Sequence, residues 1–149
     1  MLVRLGLLGL LALSCFAAEQ VTLVDFTKEG HGWQGNAFTR DARQDGGFSV
    51  ELAGEDPWLE GPLVAVPGFG EAQKLALTLE TAGPATGSFQ LYYAPEGKWF
   101  SEGAAVVLSR SPSSETEYQG VIPLAAGRLH FRIDPPGCAG RVTLRALRA

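Results

Sequence analysis

The sequence predicts an all-β domain, built as an antiparallel β-sandwich or jelly roll. Apolar residues recur with a period of two over short runs, as in strands that bury one face. Clusters of Gly, Pro and Asp separate these runs and are typical of turns. Strands with one apolar face must cover it against a second sheet, which favours a sandwich over an open sheet.

The expected strands alternate most clearly at 48–52, 75–80 and 129–133, where apolar residues oppose polar ones. A long Gly-rich connection is expected at 27–43, with a short strand at 37–39, and a mobile polar loop is expected at 109–116. All expected main strands are 21–26, 48–52, 63–66, 75–80, 89–93, 104–108, 118–122, 129–133 and 142–147.

The first 18 residues have the layout of a secretory signal peptide. Arg4 precedes an apolar run over 5–13, and small residues follow it. The run is shorter than the roughly 20 apolar residues that a membrane-spanning helix needs. We therefore expect cleavage after Ala17 or Ala18 and export to the periplasm, the cell surface or the medium. The mature chain is then a single domain over 19–149 with no transmembrane span.

The two cysteines bear on location and on disulfides. Cys15 follows Ala-Leu-Ser and offers an alternative, a bacterial lipoprotein, although Leu13 lies one position later than such a motif requires. A lipid anchor would hold the protein on a membrane, whereas simple cleavage would release it. Cys138 would be alone in the mature chain, so we expect no intramolecular disulfide.

The charge balance bears on the class of partner. The chain has 12 Lys and Arg residues against 16 Asp and Glu residues, a net charge of −4, and loss of Arg4 would make it one unit more negative. Nucleic acids and anionic membranes attract concentrated positive charge. We therefore expect neither as a partner.

Several short motifs resemble the galactose-binding-like jelly roll, over about residues 21–147. The resemblance implies a carbohydrate-binding module of exported bacterial proteins, which binds without catalysis. The motifs are Asp56-Pro57-Trp58-Leu59 followed by Gly61-Pro62-Leu63, Phe89-Gln90-Leu91-Tyr92-Tyr93, Phe100-Ser101-Glu102, and the closing segments at 129–134 and 140–142.

The same resemblance implies a possible structural calcium ion, which some members of the family hold between an early loop and the last strand. Asp41 and Asp45 lie in the corresponding part of this chain. Calcium takes six to eight oxygen ligands, so the two carboxylates would need further donors. No other cofactor is expected.

A sugar site needs an aromatic ring for the apolar side of a pyranose, with polar groups nearby for its hydroxyls. Trp99 lies just past a turn, and Tyr92 points away from the apolar face of its strand, so we expect both to be accessible. Trp33, in the long Gly-rich connection, either binds or plugs the end of the sandwich. Gln90 and Arg132 are the expected polar partners, and Arg132 suits hydroxyl pairs or a uronate carboxylate.

Other residues are expected to be structural. Trp58 is expected to pack in the core. His31 and His130 are the only histidines and have no metal-binding spacing, and no GxSxG motif surrounds a serine. We therefore expect no enzyme activity. The alternative to a sugar-binding module is a structural or adaptor protein of the bacterial cell envelope that binds another protein.

Overall fold

The structure is a computed structural model that describes residues 20–68, 74–123, 127–137 and 139–149. Regular structure in these ranges is β, apart from one 3₁₀ turn at Glu102–Ala104, so the all-β prediction is confirmed. The strands are β1 (Thr22–Asp25), β2 (Gln34–Gly35), β3 (Thr39–Gln44), β4 (Phe48–Ala53), β5 (Leu59–Glu60), β6 (Val64–Val66), β7 (Lys74–Thr81), β8 (Phe89–Pro95), β9 (Ala105–Arg110), β10 (Glu117–Pro123), β11 (Gly127–Asp134) and β12 (Ala139–Arg148).

The described strands pair antiparallel in two halves. The first half has the order β10-β7-β12-β4-β3, with β1 also on β12, and the second has the order β2-β5-β11-β8-β9, with β6 also on β11. Strand β9 joins the halves because its first residues pair with β8, whereas Ser109 and Arg110 pair with β10. On the other side β1 lies beside β6. The sheet is therefore nearly closed, as in a sandwich or a barrel.

A single apolar core lies between the two halves. Leucines of β7 and the apolar residues of β11 alternate inward, as the sequence predicts. Phe89 of β8 and Tyr118 of β10 meet edge to face, with ring centres 4.7 Å apart. The Tyr118 hydroxyl reaches the backbone of Ala85, accepting a hydrogen bond from its N–H at 2.7 Å and donating one to its carbonyl oxygen at 3.2 Å.

The strand prediction fails where strands are short or exposed. The connection expected over 27–43 contains β2 and most of β3, and the strand expected at 37–39 instead begins at Thr39. Strand β3 is exposed along almost its whole length, so its side chains show no alternation. It pairs through its backbone with β4, with an irregularity between Arg40 and Arg43. Ser109 and Arg110, expected in a loop, belong to β9.

Some sequence-based expectations lie outside the described residues. These are the signal peptide, the alternative lipid anchor at Cys15 and the unpaired Cys138. None of the described residues belongs to a helix that is long and apolar enough to cross a membrane.

Trp33 is a core residue, so the expectation that it binds a ligand is wrong and the plug interpretation fits. Its side chain is 5% exposed. The ring packs edge to face on Phe26 at 5.1 Å, and its backbone N–H donates to Nδ1 of His31 at 3.0 Å. Burial lowers the pKa of His31, which favours the neutral ring that can accept this bond. The indole edge lies against Gly61.

Replacing Gly61 with Ala should destabilise the protein by about 1–3 kcal/mol. A Cβ atom at Gly61 would lie 2.2 Å from Nε1 of Trp33, which is too close for any real contact. Gly68→Ala is the matched control, because a Cβ atom there meets no heavy atom within 4 Å. Denaturant unfolding of the two variants measures the difference. Equal stability of both variants would contradict the packing described here.

Candidate functional site

The pairing of β8 with β11 gathers polar and aromatic side chains on the outer face of the second half. Arg132 pairs with Tyr92, and Asp134 pairs with Gln90. Alternate residues of a strand share a face, so His130 lies on the same side as Arg132. Gln90, Tyr92 and Arg132 therefore do share one surface, as the sequence predicts, whereas Trp33 is in the core. We call this surface the outer face.

Arg132 is held in place by four neighbouring side chains, and two of its guanidinium nitrogens are already bonded. Its Nε donates to Oδ1 of Asp134 at 2.7 Å, and its Nη2 donates to Oδ2 at 2.6 Å. The guanidinium carbon lies 4.9 Å from the ring centre of Tyr92 and 5.1 Å from that of Trp58. Asp56 lies 3.9 Å away. The guanidinium is thus stacked between two rings and fixed by a bidentate carboxylate.

Arg132 and Asp134 act as one ionic unit. Burial by itself would lower the pKa of Arg132, but the hydrogen bonds with Asp134 and the negative charges of Asp134 and Asp56 together outweigh burial and raise it. Burial raises the pKa of Asp134, and the hydrogen bonds from Arg132 oppose that rise without cancelling it. The hydrogen bonds from Arg132 therefore stabilise the ionised form of Asp134 against the effect of burial.

Tyr92 is on the predicted face, but the prediction that it is accessible is wrong, because its side chain is only 7% exposed. The guanidinium of Arg132 covers the ring. The hydroxyl donates to the carboxylate of Glu102, with oxygen separations of 3.0 and 3.2 Å. Burial, and then this bond, raise the pKa of Tyr92. Tyr92 thus ties β8 to the 3₁₀ turn that precedes β9.

Trp99 is almost fully exposed, at 94% of its surface. It follows a tight turn in which the N–H of Lys98 donates to the Pro95 carbonyl at 3.0 Å. Gly97 occupies the third position of that turn with φ of 77°, a conformation that favours glycine. The turn projects Trp99 away from the sheet, whereas the next residue, Phe100, is partly buried.

A groove of about 370 Å³ opens beside Trp99. We call it the Trp99 groove. Phe100 and His130 meet edge to face in it, with ring centres 6.4 Å apart. The groove-lining residues are Glu60, Gly61, Gly97, Lys98, Trp99, Phe100 and His130. The sequence reasoning missed Glu60, although its outward position beside the inward Leu59 was a usable signal.

Gln90 and Trp58 lie near the Trp99 groove but do not line it. Gln90 is partly exposed on the outer face, opposite Asp134 on one side and Val107 on the other. Trp58 was expected in the core, and that expectation is wrong. It is only partly buried and stacks on the guanidinium of Arg132, because it precedes the inward Leu59 and so faces outward.

The carboxylates proposed for calcium do not form a suitable site. Asp41 and Asp45 are both exposed, and Asp45 lies 3.8 Å from the Arg43 guanidinium. Within the described residues, no three His, Cys, Asp or Glu side chains are grouped to hold a metal ion. The residues present therefore do not fit calcium, which requires a cage of oxygen ligands.

The chain matches no model of a known protein family and no curated protein. Arguments about function therefore rest on its own surfaces. A larger cavity, of about 480 Å³, lies by β1 and β12, but its walls are polar and carry no aromatic ring. The Trp99 groove is the candidate site because it combines a cavity with exposed aromatic surface.

Tyr92→Phe should loosen the 3₁₀ turn that follows Trp99. It removes the hydroxyl that bonds Glu102, at a cost of about 1 kcal/mol in unfolding free energy. Amide hydrogen exchange over residues 97–104 should become faster. Tyr93→Phe is the control, since no hydrogen bond of the Tyr93 hydroxyl is found within the described residues. If both variants exchange like the parent protein, the proposed anchoring role of Tyr92 is wrong.

Arg132→Gln should destabilise the protein by about 2 kcal/mol at neutral pH, because it leaves the partly buried Asp134 unpaired. The pKa of Asp134 lies above its ordinary 3.8 and should rise further. A raised carboxyl pKa means that folding favours the protonated form, so stability falls as the pH rises through this range. The loss should therefore be smaller near pH 4 than at pH 7.

Arg128→Gln, on the same strand, is the control for this measurement. Arg128 pairs with Glu96 at 3.1 Å, but both side chains are more than half exposed. Exposed pairs contribute little, so we expect a change below about 1 kcal/mol. Urea unfolding at several pH values tests both variants. A loss for Arg132→Gln that is the same at pH 4 and pH 7 would contradict the assigned role of Asp134.

Proposed function

We propose that this chain is an exported, non-catalytic binding module that recognises carbohydrate in the Trp99 groove. The observation that carries the proposal is the exposure of Trp99. An indole ring with 94% of its surface in water contributes almost nothing to the core. The flat apolar side of a pyranose ring would cover it and gain the free energy of that burial.

Polar groups around Trp99 support the same proposal. Glu60 can accept hydrogen bonds from sugar hydroxyls, Lys98 can donate them, and the ring nitrogens of His130 can do either. These residues take the place of Arg132, whose Nε and Nη2 already bond Asp134. The groove is open, so a bound sugar keeps much of its hydration and the affinity should be modest.

The proposed fold is the galactose-binding-like jelly roll. Its support is the set of sequence motifs together with an antiparallel, nearly closed all-β structure. Proposed export rests on the signal-peptide layout of the first residues. The alternative is an adaptor that binds another envelope protein. The observation that bears on it is the exposure of three further apolar side chains among the described residues, which are Phe38, Val107 and Val121, and three side chains form less surface than a typical protein-binding patch.

Trp99→Ala should weaken sugar binding at least about tenfold, because it removes the stacking surface. The unfolding free energy should stay within about 0.5 kcal/mol of the parent value, since Trp99 is almost fully exposed. A glycan array identifies a ligand, and calorimetry then measures its affinity for both proteins.

Val121→Ala is the matched control, because Val121 is 54% exposed on β10, in the other half of the structure. It should leave sugar affinity unchanged. The carbohydrate proposal fails if no glycan binds. The assignment to the Trp99 groove fails if Trp99→Ala binds the sugar as well as the parent protein does.

A further inference from the structure

Carboxylates outnumber cations on and beside the outer face, of which the Trp99 groove is one end. Arg128 is paired with Glu96, and Arg132 is paired with Asp134 and lies near Asp56. Lys98 is the one lysine or arginine among the described groove residues. The charged side chains on and beside the outer face are Asp56, Glu60, Glu96, Glu102 and Asp134 against Lys98, Arg128 and Arg132.

Two of these carboxylates have no cationic partner within the described part of the chain. Glu60 forms no ion pair there although it lines the groove. Glu102 accepts a hydrogen bond from the neutral hydroxyl of Tyr92. A ligand in the groove therefore meets a carboxylate at Glu60 that no ion pair among the described residues neutralises.

This charge distribution argues against an acidic sugar. The guanidinium of Arg132 is already bonded to Asp134, and the one lysine or arginine that lines the groove, Lys98, lies exposed on the turn, where water screens its charge. A uronate carboxylate would approach Glu60, and like charges at short range are unfavourable. The bonds from Arg132 to Asp134 thus argue against the uronate recognition that the sequence suggested for this arginine.

We infer that the Trp99 groove binds a positively charged sugar, in which the amino group of a hexosamine lies near Glu60 while the ring stacks on Trp99. This inference rests on the proposed carbohydrate-binding function and names its ligand class. The face of an indole ring attracts cations, so Trp99 and Glu60 favour the same charge. Lys98 opposes it, but Lys98 is exposed on the turn and water screens its effect.

The test uses three oligosaccharides of equal length, studied by calorimetry at a slightly acidic pH at which the amines are protonated. They are a glucosamine oligomer, its fully N-acetylated form and a galacturonate oligomer. We expect the glucosamine oligomer to bind about three- to tenfold more tightly than the N-acetylated one. The difference should shrink at high salt.

Two variants locate the effect. Glu60→Gln should remove most of the preference for the glucosamine oligomer over the N-acetylated one, because glutamine keeps a hydrogen-bonding oxygen but carries no charge. Glu115→Gln, at an exposed residue of the turn between β9 and β10, is the charge-matched control and should keep the preference. Trp99→Ala should weaken binding of both oligomers, which separates stacking from nonspecific attraction.

The remaining outcomes overturn the inference in distinguishable ways. Equal or tighter binding of the N-acetylated or galacturonate oligomer leaves carbohydrate binding intact but overturns the charged-sugar inference. Binding of the glucosamine oligomer that survives Trp99→Ala shows nonspecific electrostatics and also overturns it. Binding of polylysine that depends on Trp99 and matches that of the sugar would point to a basic protein partner. Binding of no sugar on a wide glycan array overturns the proposed function itself.

Discussion

The antiparallel register of β8 and β11 is the constraint on which the rest of this structure depends. It pairs Ile133 with Leu91 and Phe131 with Tyr93 on the inner side, and Arg132 with Tyr92 on the outer side. A slip by one residue would turn the apolar set outward and the charged set into the core. The observed register is much lower in free energy than the shifted one. The same pairing therefore determines both which residues form the core and which form the outer face.

The outer face shows how a sheet tolerates charge that is largely removed from water. Asp134 and Arg132 are both less than a quarter exposed at their side chains, yet each neutralises the other. Stacking between Trp58 and Tyr92 replaces part of the hydration that the guanidinium loses. The hydroxyl of Tyr92 in turn donates a hydrogen bond to Glu102, which fixes the 3₁₀ turn that follows Trp99.

Much of the fold could be predicted because long strands carry their own signal. The alternation at 75–80 and 129–133 appears in the structure as β7 and β11, one residue or two longer at the ends. Strands β2 and β5 have two residues each, too few for any period to be visible. Strand β3 could not be predicted because both of its faces are in water. Neither face has to be apolar, so its side chains show no alternation.

The candidate site could be predicted only in part. The Pro95-Glu96-Gly97 sequence was enough to predict that Trp99 is exposed. A side chain that follows a short turn has few neighbours to pack against. Tyr92 was placed on the correct face, but face alone does not decide exposure. Its ring is covered by Arg132, which lies forty residues away along the chain. Trp33 is buried because Gly61 has no side chain and leaves room for the indole.

By itself, the sequence determined the all-β class, the faces of the long strands and the turn that exposes Trp99. These features depend on neighbouring residues along the chain, through period-two burial and local backbone preference. Only the tertiary structure decided which outward groups are free. Arg132 is hydrogen-bonded to Asp134, whereas Glu60 lines the groove beside Trp99 without an ion pair among the described residues. Those outcomes depend on cross-strand distances of a few ångströms, which no spacing in the sequence encodes.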